Sequence, residues 1–321
     1  MEFGFELALC AHLERETDWV LARQLGGAVA APGSRVVDVV GVVPGPGFDD
    51  RARITERAIP TAAVESAAGV GEAVPAARAV DGHPERARDV VDEAVACGFF
   101  VEERRGGKRY VRQATRYPDD WVGELVAVEN KPDLARPGDL ERQLRVDASL
   151  GLFDRVVLAT ESHVTGAHLN RIPEAVGVWR FHPDTDEREV VREATPLDPD
   201  APGVELLAEH PGRTDVALVS PAEKARKRRR VAERAYGKGW RTYEFPACAN
   251  CAADGDGRPR CAHFGRVVDP ASDCGEACPG WEPAEPAADD DDAAALRDAR
   301  TPWVRDPPGA VRRQAGLDRF R

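Results

Sequence analysis

The chain has no apolar run near the roughly 18 to 20 residues that a helix needs to cross a bilayer, and its N-terminus has no basic leader followed by an apolar core. A membrane-spanning chain is not expected, and the expected location is the cytoplasm. A Gly-X4-Gly-Lys-Ser/Thr phosphate loop is missing, so intrinsic ATP-driven activity is not expected. Gly45-Pro46-Gly47 lacks the spacing of a dinucleotide fingerprint. There is also no internal repeat of fixed period, which argues against a stack of repeated units.

Lysine is nearly absent, whereas aspartate, glutamate, arginine and alanine abound, and the formal net charge is -12. Phosphate binding depends on lysine and arginine, so this balance would ordinarily argue against a nucleic-acid partner. The composition suggests another cause: it resembles that of halophilic archaeal proteins, whose carboxylates keep the surface hydrated. Local clusters therefore say more about partners than global charge does. With 321 residues, 42% of them hydrophobic, the chain has room for one large domain and something smaller.

Helical spacing of Phe3, Leu7, Cys10 and Leu13 predicts an opening helix, and strands are expected over Trp19 to Leu21 and Arg35 to Val43. Pro44-Gly45-Pro46-Gly47 then breaks the pattern. Residues 44–120 read as an inserted helix–helix–hairpin module, winged-helix-like in its order, with helices near 61–68 and 84–97 and a turn at Arg105-Gly106-Gly107. Periodicity does not separate DNA binding from packing in this module; packing or substrate shaping is the favoured reading. A buried strand at Leu125 to Lys131, a helix from Asp139 to Leu150, a strand at Arg155 to Thr160, a helix near 165–172 and a strand at Gly177 to Phe181 follow. Strands alternating with helices argue for an α/β fold.

The expected organisation is a core of residues 1–43 and 121–195, the 44–120 insertion, a linker and basic helix over 196–242, a cysteine-rich module over 243–283, and an acidic, disordered tail over 284–321 containing Asp289 to Asp292.

Chemistry is signalled by charges on apolar strands. Side chains alternate along a strand, so Glu129 and Lys131 share a face, with Asn130 opposite. Asp38 interrupts Val36-Val37-Asp38-Val39-Val40 in the same way. Burial of such groups is unfavourable unless they are paired or bind a metal. If the two strands are neighbours, Asp38 and Glu129 could hold one hard divalent cation through oxygen, with Lys131 beside an attacking water.

These residues, in this order, resemble the PD-(D/E)XK nuclease superfamily, which includes restriction-endonuclease-like and RecB-like enzymes. Its pattern is a helix with glutamate, a strand, a strand with aspartate, a strand with Glu-X-Lys, a helix and a strand; here stand Glu6, Asp38, Glu129-Asn130-Lys131, and a helix with Gln143 before Val156-Val157-Leu158. Val37 stands in place of a proline that many members also lack, and Asp147 stands where RecB-like members often have tyrosine. The resemblance covers residues 1–43 and 121–181. It implies a restriction-endonuclease-like mixed sheet flanked by helices, and hydrolysis of phosphodiester bonds, in DNA by family base rate, by an endo- or exonuclease with Mg²⁺ or Mn²⁺. It further implies Asp38 and Glu129 as metal ligands helped by the Asn130 carbonyl, Lys131 orienting water or stabilising phosphorane-like charge, Glu6 supporting the metal, and Gln143 positioning substrate.

Outside this core, Lys224, Arg226, Lys227, Arg228, Arg229 and Arg230 form a basic run followed by Arg234, Lys238 and Arg241. Arg226, Lys227, Arg229 and Arg230 are the expected nucleic-acid contacts, against the alternative of a solvated face balancing acidic neighbours. Of seven cysteines, Cys10 and Cys97 lie alone in apolar helical stretches, and the other five share one short segment, which in a cytoplasmic protein favours metal over disulfides. Cys248-X-X-Cys251 and Cys274-X-X-X-Cys278 resemble a zinc ribbon or knuckle, with Cys261 and His263 as alternates; a structural Zn²⁺ is expected, a [4Fe–4S] cluster being the alternative. His163 and His168 are expected in exposed loops, and Trp179 and Phe181 in the core. The rival to a nuclease is a catalytically inactive nucleic-acid-binding or regulatory protein keeping the same fold and cysteine module.

Overall fold

The structure, a computed structural model, describes residues 2–284 and 295–296. Helix α1 (Glu2–Glu16) has an acid in its first turn and Arg15 in its last, both favourable to the helix dipole. Strands β1 (Val20–Gly26) and β2 (Val36–Pro44) follow as an antiparallel pair. The segment after them carries short helices α2 (Phe48–Ala52) and α3 (Thr61–Val64), strand β3 (Val74–Pro75), helix α4 (Pro84–Ala96), and hairpin strands β4 (Phe100–Arg105) and β5 (Lys108–Gln113). Strand β6 (Val122–Asn130) returns to the first sheet, followed by α5 (Leu140–Leu150), β7 (Arg155–Thr160), α6 (Gly166–Leu169), β8 (Gly177–His182) and β9 (Glu187–Arg192). The hairpin β10 (Gly203–His210) and β11 (Arg213–Val219) precedes α7 (Pro221–Lys238). Last come β12 (Cys251–Ala253), β13 (Pro259–Cys261), β14 (Arg266–Val267) and α8 (Pro270–Asp273).

The central sheet has six strands in the order β1-β2-β6-β7-β8-β9. Pairing is antiparallel from β1 to β6, parallel from β6 through β8, and antiparallel again at β9. The protein is therefore a mixed α/β fold whose sheet is flanked by helices. Helix α1 covers one face, where Leu7, Leu9 and Leu13 meet Val39, Val126, Val128, Val157 and Phe181. On the other face Leu140 and Leu144 of α5, with Val231, Ala232 and Tyr236 of α7, join Val40, Leu125, Ala127 and Leu158. Each buried aliphatic or aromatic side chain contributes roughly 1.5 to 3 kcal/mol. Trp179 and Phe181 lie in the core as expected. Among the described residues, no helix is long and apolar enough to cross a membrane.

The 44–120 segment packs into the main core rather than standing apart. Phe48, Ile59, Val91, Phe99 and Val111 belong to the same cluster as the sheet face beneath α5 and α7. Fully buried Arg51 on α2 donates to both carboxylate oxygens of Glu233 on α7, at 2.7 and 2.6 Å, and Tyr117 donates to the same carboxylate at 2.7 Å. A buried charge is tolerated only when paired in this way, so the network locks the inserted segment onto α7.

Three expectations need correction. The 196–242 stretch is not a plain connection before the basic helix: it contains the β10–β11 hairpin. Most of that hairpin is exposed, with only Gly203, Glu205 and Val219 buried, so the apolar alternation that reveals a strand is weak. The helices expected near 61–68 and 165–172 each shrink to one turn, ahead of Gly69 and Gly71 in the first case and Pro173 in the second. Strand β9, which carries four exposed or half-exposed charged residues, was not expected at all. The acidic run Asp289 to Asp292 lies outside the described residues.

Candidate functional site

The β2–β6 register sets Val39 opposite Val128, so one further step along the same antiparallel pair sets Asp38 opposite Glu129. The strand aspartate and the Glu-X-Lys strand are thus direct neighbours, with the whole inserted segment looping out between them. Asp38 Oδ2 accepts a hydrogen bond from the Asn130 backbone N–H at 2.9 Å. From α1 above the sheet, Glu6 points into the same region, and the Asn130 Nδ2 lies 3.4 Å from its Oε2.

Basic and amide groups that sequence reasoning missed complete the cluster. Arg35, at the entry to β2, donates to Asp147 Oδ1 and Oδ2 at 3.1 and 2.6 Å, and to Glu129 Oε2 at 2.5 Å. Arg23 on β1 ion-pairs with Glu6, both side chains being buried. Gln24, between the β1–β2 pairs Arg23–Val39 and Leu25–Val37, sits opposite Asp38. Its Nε2 lies 3.4 Å from Asp38 Oδ1 and 3.4 Å from Glu6 Oε2. Gln24 has φ 54° within a strand, a left-handed conformation that non-glycine residues adopt at an energetic cost.

Four carboxylates, Glu6, Asp38, Glu129 and Asp147, thus face two guanidiniums, Arg23 and Arg35. The imbalance shows in their acidities. Burial, then repulsion from Asp38, pushes Glu129 up to about 8, against the pull of Arg35. Burial also raises Glu6, with Arg23 opposing and Asp38 adding to the shift. Asp38 and Asp147 are raised by burial as well. The Asn130 Oδ1 is buried and has no hydrogen-bond partner among the described residues. Leaving such a group unpaired is unfavourable by roughly 1 to 3 kcal/mol.

The expected site residues do not all arrive. Glu6, Asp38, Glu129 and Asn130 come together. Lys131 does not point its ammonium at Glu129: its Nζ bonds Glu2 Oε1 at 3.1 Å in a partly exposed pair, while its backbone N–H is held by Ala159 O at 2.9 Å. Gln143 is half-buried and makes no side-chain hydrogen bond among the described residues. One helical turn later, on the same face of α5, Asp147 takes the place in the cluster. The signal for Arg23 and Asp147 was present in the sequence, as charges within apolar patterns of the kind that marked Asp38.

The cysteine segment folds as the three-stranded sheet β12-β13-β14 and packs on α1, where Arg15 donates to Asp256 Oδ1 at 2.9 Å. Cys251 and Cys261 are cross-strand partners, and together with Cys248 and Val268 they form a small buried cluster against which Cys274 packs. Burial, then the neighbouring Cys274, Cys261 and Cys248, pushes the Cys251 thiol up to about 12. Cys261, expected as an alternate, therefore sits inside the cluster. Cys278 is half-buried, next to Cys274. His263 is exposed and meets the Phe264 ring edge-to-face. Among the described residues, no group of three or more His, Cys, Asp or Glu side chains is arranged so that it could hold a metal ion. In the carboxylate cluster the reason is visible: Arg23, Arg35 and the Gln24 amide lie among the oxygens.

On α7, Arg228 is bound to Asp154 and the Leu152 carbonyl, and Arg229 to Glu65. Of the expected nucleic-acid contacts, Arg226 and Arg230 are exposed, Lys227 is half-buried, and Arg229 faces the inserted segment. No curated protein and no solved structure matches the chain. A family model matches residues 20–283, a span running from the first residue of β1 through the cysteine segment, and by that match the chain belongs to the family described as a family of unknown function (DUF5787).

Proposed function

We propose that this protein is a Mg²⁺-dependent nuclease that hydrolyses phosphodiester bonds, in DNA by preference, with a restriction-endonuclease-like core of the PD-(D/E)XK kind. The observation that carries the reading is the placement of Asp38 opposite Glu129. Two acids on apolar strands, distant in sequence, stand side by side, as a shared hard cation requires. The carboxylates of Asp38 and Glu129 suit such an ion: their donors are oxygens, and burial raises the pKa of both, with repulsion from Asp38 adding to the shift of Glu129, as a missing counter-charge would. Asp38, Glu129 and Asn130 would hold it, with Glu6 in support. When bound, it would supply activation of water and neutralisation of phosphate charge.

The chain's own groups supply the rest. Arg35 is anchored on Asp147 through two bonds, so it can release Glu129 without losing its own counter-charge. Gln24 fixes the spacing of Asp38 and Glu6. Lys131 is tethered to an exposed glutamate by a pair worth little in water, so it is free to turn toward a phosphate. The cysteine cluster is proposed to hold a structural Zn²⁺ through Cys248, Cys251, Cys261 and Cys274. It would buttress α1, which carries Glu6.

Arg35 seated on Glu129 also favours a second reading, a binding or regulatory protein in which the guanidinium permanently fills the cation position. Incubation of the purified protein with single- and double-stranded DNA and RNA at high KCl, with Mg²⁺ or Mn²⁺, separates the two. The nuclease reading expects cleavage that Lys131→Ala abolishes. Absence of cleavage under every metal and salt condition, or equal cleavage by the variant, supports the binding protein.

A further inference from the structure

Helix α7 carries a second pattern inside its basic run. Arg226, Arg230, Arg234 and Lys238 recur at every fourth residue, so they form one row along the helix, about 6 Å apart along its axis. All four are exposed. Arg226, Arg230 and Arg234 form no ion pair with an acid among the described residues, although the chain as a whole carries an excess of acids. The glutamate nearest the middle of the row, Glu233, is turned inward onto Arg51.

Like charges four apart on a helix destabilise it by a few tenths of a kcal/mol per pair. A face that served only to balance the acidic surface would place acids between them. Lys227 adds to the concentration of charge: its ammonium lies over β1, where a Cβ built on Gly26 would be 3.7 Å from the Nζ. Burial, then Arg230 and Arg234, lowers its pKa to about 8.

The row has a direction. Its last member, Lys238, donates to the carbonyl oxygens of Arg23 and Gln24 at 2.6 and 3.2 Å. Those two residues present their side chains to Glu6 and Asp38. The cations therefore run along α7 beside β1 and end at the carboxylate cluster.

The geometry points to this row, Arg226, Arg230, Arg234 and Lys238 with Lys227 beside it, as a track for the phosphates of one nucleic-acid strand, leading it over the β1 edge to Glu6, Asp38 and Glu129. The inference rests on the nuclease reading for its end point and differs from the sequence-based set by excluding Arg229, which is bound to Glu65. The row's spacing is comparable to that of consecutive phosphates in an extended strand, whose every unit carries a charge, and competition with polyglutamate separates such a backbone from an acidic peptide.

The test is equilibrium binding of labelled single-stranded and duplex DNA to the full chain carrying Glu129→Gln, without divalent metal, over a range of KCl. In that background Arg230→Ala and Arg234→Ala should each lower the slope of log affinity against log salt by about one unit, and more together. Arg213→Ala, on the exposed β11, should leave the slope unchanged. Equal slopes in all variants, or competition by polyglutamate as effective as that by DNA, overturn the track. Circular dichroism confirms that these surface variants remain folded. If the slopes fall as expected but the wild type cuts no substrate, the track stands and the nuclease reading falls. If the wild type cuts while the slopes do not change, the nuclease reading stands and the track falls.

Discussion

Arg35 holds Glu129 and Asp147 at once, reaching one carboxylate on the central strand β6 and the other on helix α5 from the start of β2. All three side chains are buried, and Asp147, which takes two of the Arg35 bonds, is its nearest counter-charge. Removing one member of a buried ion pair typically destabilises by about 3 to 5 kcal/mol, because the remaining charge stays unpaired. Arg35→Met should therefore lower the midpoint of denaturant unfolding substantially in metal-free protein. Mg²⁺ should recover part of the loss, since a cation between Asp38 and Glu129 replaces the missing charge. A variant equally unstable with and without Mg²⁺ contradicts that role.

The raised pKa of Glu129 predicts a pH dependence with a definite sign. The folded protein holds a proton on Glu129 up to about pH 8, whereas the unfolded chain releases it near the usual glutamate value of 4.5. Between those limits the native state binds more protons, so this group's contribution to stability is full at and below pH 4.5 and declines as pH rises through 8. Metal binding requires the ionised carboxylate and should strengthen over the same window, with proton release. Unfolding and Mg²⁺ titrations from pH 5 to 9 measure both, and Glu129→Gln should flatten both.

Gln24 is held in a left-handed conformation that glycine adopts freely. Gln24→Gly should relieve strain of about 1 to 2 kcal/mol, offset by the lost amide contacts to Glu6 and Asp38 and by the greater chain entropy of glycine. Metal affinity should fall while the protein stays folded. Gln24→Ala removes the same amide yet keeps the strain, so it should be the less stable of the two in thermal unfolding. The opposite order would mean that the left-handed conformation at this position costs less than the chain entropy of glycine.

The cysteine quartet makes a prediction that separates Cys261 from Cys278. Cys251→Ser and Cys261→Ser should lose bound zinc in elemental analysis of protein purified without air, and Cys278→Ser should retain it. Loss of metal in Cys251→Ser and Cys278→Ser, with retention in Cys261→Ser, would restore the pairing suggested by spacing, and iron in place of zinc would favour the cluster alternative.

How much of this was legible in the sequence depended on whether a residue broke a pattern. Asp38 and Glu129 interrupt runs of valine, alanine and leucine, so their strands and their importance could be read directly, as could the helix–strand–strand opening and the apolar faces of α1 and α5. What could not be read was which strand lies beside which. The register between β2 and β6 is set by their facing apolar side chains after a long excursion of the chain, and no local spacing encodes it. Arg35 escaped notice because it reads as the end residue of an expected strand, where arginine is ordinary; β2 begins at Val36. Asp147 appeared only as a departure from a resembled pattern, although its position one turn after Gln143 already put both on one helix face. The β10–β11 hairpin was illegible because most of its residues are exposed and its apolar alternation is weak.

The central claim is that Asp38 and Glu129 together hold one divalent cation, and calorimetric titration of Mn²⁺ into metal-free protein at pH 8 and high KCl tests it most directly. The account predicts one ion bound by the wild type, its binding abolished in both Asp38→Asn and Glu129→Gln and preserved in Arg213→Ala. Binding that survives in both carboxylate variants, or no binding by the wild type at any pH up to 9, would contradict it.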